Sequence, residues 1–93
     1  MAANPLADWN KIYEQLLHLL GAIGKPTNQI GSHTPLLGGP PIGFTAATLQ
    51  NFLTQKVTPH FHCNPPVRNA HIAAPKLMMN LVDAIIAKGG VQQ

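Results

Sequence analysis

The chain has 93 residues, with six Lys+Arg against three Asp+Glu, five His, nine Pro, eight Gly and one Cys. That length allows one small domain spanning residues 1–93, and a lone cysteine excludes the disulfide framework of a stapled secreted mini-protein. Charged residues make up 10% of the chain, where about 25% is usual, so the expectation is an exterior largely buried against other subunits.

The net charge of +3 is a weaker clue than it looks. Lys11, Lys25, Lys56, Arg68, Lys76 and Lys88 are spread along the chain without a run or stripe. Phosphate neutralisation needs clustered cations, so no nucleic-acid partner is expected. The longest uncharged apolar stretch, Leu16 to Ile23, falls far short of the roughly 20 residues a membrane span needs. The opening MAANPLADWNKIYEQ shows no basic region followed by an apolar one, so no signal peptide is visible.

In chain order, the first predicted element is an amphipathic helix over 5–23. Trp9, Ile12, Tyr13, Leu16, Leu17, Leu20 and Ile23 form its apolar stripe. Asn4 is the expected cap, Pro5 suits the first helical position, and Asp8 favours the positive end of the dipole. Gly24, followed by Lys25-Pro26, stops it. His18 lies off the stripe and reads as a solvated or rim histidine.

Residues 24–44 hold four prolines and five glycines, which forbids a helix and discourages a long strand. Ile30, Leu36, Leu37, Ile42 and Phe44 make the segment too apolar for a free linker. It is expected to lie extended against a surface, either its own helices or a neighbour. A short helix over 46–56 follows, capped by Thr45, with Leu49, Phe52 and Leu53 on one face and Pro59 ending any continuation. A His/Cys-rich loop over 58–74 leads to a third helix, 75–88, opened by Pro75. Met78, Leu81, Val82 and Ile85 form its stripe, widened by Leu77 and Ile86, and Gly89-Gly90 closes it. The Met78-Met79 pair reads as core filler. The predicted fold class is therefore mainly α: two longer amphipathic helices, one short helix and long Pro/Gly-rich extended loops.

Chemistry concentrates in VTPHFHCNPPVRNAHIAAP, which holds His60, His62, Cys63 and His71, with His33 in the earlier loop. Imidazoles and a thiol are the donor set that suits zinc or iron. In an extended chain His60-x-His62 would present both imidazoles on one side. Cys63 would then face away unless Asn64-Pro65-Pro66 turns the backbone sharply. The plainer alternative is a set of hydrogen-bonded loop histidines around a small buried thiol. A nucleophilic Cys63 would need an oriented base, and Asp8, Glu14 and Asp83 are all remote in sequence. No enzyme is expected.

The His60-x-His62 pair, the lone Cys63 and the GSHTPLLGGPPIG loop together resemble the metal-capped tips of contractile phage tails and injection systems, including the proline-alanine-alanine-arginine repeat proteins. The resemblance covers residues 31–71. It implies a ligand set of three histidines and a cysteine, matched here by His60, His62, Cys63 and His71. The Gly31-Ser32-His33-Thr34 turn is similar to the glycine- and histidine-bearing turns of those proteins. The name-giving repeat is absent, Ala73-Ala74-Pro75-Lys76 being a different sequence, and those tips are β-rich.

Two functional expectations follow. The first is a structural subunit of a larger assembly, a viral tail, baseplate, spike-tip or capsid component, with a structural zinc or iron. Its partners would be other subunits or further copies of the chain, in a virion or an intracellular assembly. The alternative is a free-standing small zinc-binding module or regulator.

Overall fold

Ile12, Leu16 and Leu20 recur every four positions and give α1 (Trp9–Ala22) one fully buried face. The computed structural model describes residues 9–39 and 41–90, so Asn4, Pro5 and Asp8 lie outside the described residues. The helix closes with a left-handed turn at Gly24 (φ +90°). The amide of Lys25 reaches back to the carbonyl of Leu20 and that of Gly24 to Gly21, the paired bonds that satisfy a helix's last carbonyls. Ile23, the last residue of the predicted stripe, falls in this turn and is 39% exposed.

The segment that follows, containing the 3-10 turn Thr27–Gln29, packs on its own chain. Ile30, Leu36, Ile42 and Phe44 are buried in the common core. Its backbone is tied to the start of α4 (Met78–Ala87). The amide of Leu36 donates to the carbonyl of Lys76, and the amides of Met78 and Met79 donate to the carbonyls of Thr34 and Ser32. Those two amides have no partner within their own helix, so the loop acts as the helix cap. Isolated bridges pair Pro35 with Leu77 and Leu37 with Phe44, and no strand forms among the described residues.

Thr45 caps α2 (Ala46–Phe52) by a reciprocal pair: its Oγ1 accepts from the amide of Thr48, and its own amide donates to Thr48 Oγ1. The helix was expected to stop before Pro59. It continues instead through a π-helical turn (Leu53–Val57) into α3 (Thr58–Phe61). A proline in a straight α-helix collides with the carbonyl four residues back and leaves it unpaired. The wider turn, in which the amide of Thr58 reaches the carbonyl of Leu53 five residues away, relieves that conflict. Burial supplies the driving force: Leu49, Phe52, Leu53, Val57 and Phe61 all face the core along this composite rod.

The last helix also begins later than the sequence predicts. Pro75 lies outside it, after a cis Ala74–Pro75 bond, and Lys76 takes a left-handed conformation (φ 60°). Leu77 is extended, with its amide bonded to Asn80 Oδ1. The C-terminus repeats the α1 ending: Gly89 is left-handed, and the amides of Gly89 and Gly90 donate to Ile86 and Ile85. Met78, Leu81, Val82, Ala84 and Ile85 are buried against α1. Trp9 Nε1 donates to Asp83 Oδ1 at 2.9 Å, clipping the start of α1 to α4. The described chain is mainly helical, and every residue of its core is apolar.

Candidate functional site

The π turn and the left-handed residue after α3 decide where the histidines go. His60 is half-buried within α3 with its ring edge-on to Phe61, centroids 4.7 Å apart. Its Nε2 is buried and has no hydrogen-bond partner. His62 is the exposed residue that ends α3, at φ 56° and ψ 42°. The expected extended pair is therefore not formed. One imidazole sits on a helix and the other on a left-handed turn, which breaks the alternation that would have aimed both at one ion.

Cys63 comes next and turns inward, 7% exposed, with its amide bonded to the carbonyl of Thr58. Burial pushes its thiol up to about 11, against the depressed values of activated cysteines. Gly90 passes so close that a Cβ there would stand 3.1 Å from the Cys63 sulfur and collide with Ile85. His71 ends the short 3-10 turn Asn69–His71, where its Nδ1 accepts from the amide of Arg68 at 3.1 Å. That bond fixes the tautomer and leaves only Nε2 for any other partner. His33 is exposed, its Nδ1 3.3 Å from Ser32 Oγ. As placed, His60, His62, Cys63 and His71 are not gathered into one ligand set. Among the described residues no three His, Cys, Asp or Glu side chains stand together to hold a metal ion.

A polar network runs through this part of the molecule. Lys76 Nζ donates to the carbonyls of Asn69 at 2.8 Å and Ile72 at 3.0 Å. Asn69 donates through its amide to Gln50 Oε1 and through Nδ2 to the carbonyl of Ala46. Thr58 Oγ1 receives the amide of Val67. These bonds lash the 63–76 segment to α2 and α3. Their work is structural.

Two surface clefts lie elsewhere. One, of about 560 Å³, runs between α1 and the first 3-10 turn and is lined by Glu14, Leu17, His18, Gly21, Thr27 and Asn28. Its Glu14 and His18 are one helical turn apart, which places them on the same face. The second, of about 230 Å³, is lined by the apolar Ile23, Phe44 and Phe52 and by Thr48, Asn51, Gln55 and Lys56. Phe44 and Phe52 are tilted against each other with centroids 5.3 Å apart, and Lys25 Nζ lies 5.0 Å from the centre of the Phe44 ring. Sequence reasoning missed this second cleft. Its signal was present in the placement of Ile23 after Gly21-Ala22, where the apolar stripe outlasts the helix.

Compared with known proteins, the chain matches no family model, no curated sequence and no solved structure.

Proposed function

We propose that this chain is a non-enzymatic structural subunit of a larger protein assembly, of the viral tail, baseplate, spike-tip or capsid kind suggested by its sequence resemblance. The observation that carries the reading is the nature of its exterior. Among the described residues most large apolar side chains are buried and the rest, Ile23 excepted, are half-buried, so what is fully exposed is mostly uncharged: Asn, Gln, Thr, Ala, Pro and Gly. Of the described acids there are only Glu14 and Asp83, and Asp83 is bonded to Trp9. A surface so poor in ions gives little charge repulsion to keep copies apart in solution. It is also inexpensive to strip of water, and interface centres are depleted in charge for that reason. The buried thiol of Cys63 supports a non-catalytic role, since burial raises its pKa and keeps it protonated at pH 7.

Native mass spectrometry of the protein co-expressed with its genomic neighbours tests the reading. The expected result is a multimer or a complex with another subunit. A solitary chain, freely soluble at high concentration, would overturn it.

A second reading, a small zinc- or iron-binding module, is favoured by one observation: the unpartnered His60 Nε2 lies three residues from the inward-facing Cys63. In that reading His62 and His71 turn inward to complete the set. Stoichiometric zinc uptake with a gain of thermal stability, lost in His60→Ala, would support it.

A further inference from the structure

We infer that the cleft between Ile23 and the outer face of α2 receives an apolar side chain from a different protein, carried on a segment with carboxylates beside it. The inference deepens the assembly reading and rests on it. Ile23 is the one large apolar residue left exposed among the described residues, at 39%. It continues the α1 stripe whose Ile12, Leu16 and Leu20 are fully buried, and it is the stripe residue that the described chain covers least. Together with Phe44 and Phe52 it gives the cleft an apolar floor.

Size narrows the occupant. Pockets for small molecules and cofactors run from about 300 to 1,000 Å³. At about 230 Å³ this cleft is below that range and suits one inserted side chain. Such anchors carry most of the binding energy at protein interfaces. Charge narrows it further. Lys56 lines the cleft, Lys25 stands over its Phe44 wall, and no acid among the described residues lines it. Two ammonium groups beside an apolar floor complement an anchor flanked by Asp or Glu. Among its described residues, a second copy of this chain is poorly equipped to supply that anchor. Asp83 is bonded to Trp9 with Val82 and Ala84 on either side buried, and Glu14 lines the other cleft.

The test is an NMR titration of the full ¹⁵N-labelled chain. The probe is a short synthetic peptide with a central Phe-Leu pair between glutamates, and the control replaces every glutamate with lysine. The expected result is amide shifts confined to Ile23, Thr48, Asn51, Gln55 and Lys56 and their neighbours, with the control binding roughly tenfold more weakly or worse. The double variant K25E/K56E should reverse the preference between the two peptides, and Ile23→Ser should weaken both. If the double variant does not fold, K56E alone should still narrow the preference, because Lys56 is exposed. Equal binding of the two peptides, shifts elsewhere on the surface, or self-association of the chain abolished by Ile23→Ser would overturn the proposal. The assembly reading is judged separately. A native complex that persists undiminished in K25E/K56E keeps that reading and removes the cleft from it. A solitary chain whose cleft still selects the glutamate peptide does the reverse.

Discussion

The connecting segments 24–44 and 62–77 are alike in composition, each rich in small residues and proline, and they are held in place by different physics. The first contributes Ile30, Leu36, Ile42 and Phe44 to the core and lends its own carbonyls to the amides of Met78 and Met79. The second also buries Cys63, Val67 and Ile72 and donates the Asn64 amide to the carbonyl of Lys88, but from 67 to 76 its path leans further on individual side-chain atoms: Lys76 Nζ, Gln50 Oε1, Thr58 Oγ1, His71 Nδ1. A segment pinned by apolar burial and backbone bonds fails together with the whole domain. One pinned by single polar atoms loosens by degrees. Both stretches join the core through their apolar residues, and they differ in what holds the path between those residues.

The sharpest way to break this contrast is Leu36→Ala. Leu36 is fully buried, so the substitution should cost about 2–5 kcal/mol and lower the urea midpoint of the entire domain in one transition. Lys76→Met keeps the side chain's length but takes the ammonium away from the carbonyl of Ile72 and from that of Asn69, which keeps only its bond from the Ile72 amide. It should cost about 1–3 kcal/mol, with amide exchange rising first in residues 69–76 and α1 still protected. Cys63 gives a pH-dependent test. Its thiol is raised from 9.0 to about 11 in the fold. The unfolded chain therefore loses that proton first, and the contribution is complete below pH 9 and fades as pH rises toward 11. The unfolding free energy from urea titration should fall over that window by about 1–2 kcal/mol, and Cys63→Ala should flatten this part of the profile. The smallest effect is expected from His71→Ala. Loss of its bond from the Arg68 amide should cost about 0.5–1 kcal/mol, read as a small shift in thermal midpoint.

The helices were legible where one physical rule sufficed. The α1 stripe, the Thr45 cap and the glycine stops after α1 and α4 follow from periodicity, side-chain reach and left-handed backbone, all local properties. Pro59 was not legible as a passable residue, because the π turn that admits it is maintained by Val57 and Phe61 being drawn into a core assembled from distant segments. The late start of α4 was hidden for a related reason. Its first amides are capped by Ser32 and Thr34, far upstream, and no local signal marks that. The local geometry of the histidine pair was the least legible. His60-x-His62 in an extended chain and His60-x-His62 across a helix end are the same letters with different geometry, and the choice between them was made at Pro59.

The use of Ser32 and Thr34 as the cap of α4 has a consequence for biosynthesis. A nascent chain leaves the ribosome from its N-terminus, so residues 31–36 emerge long before the amides they are to receive. Until Leu81 and Ile85 have cleared the exit tunnel, the core that buries Leu36 and the inner face of α1 lacks the α4 side of its cover. Folding must wait for the last helix, and a transcript truncated anywhere before it should yield a product that is degraded or captured by chaperones.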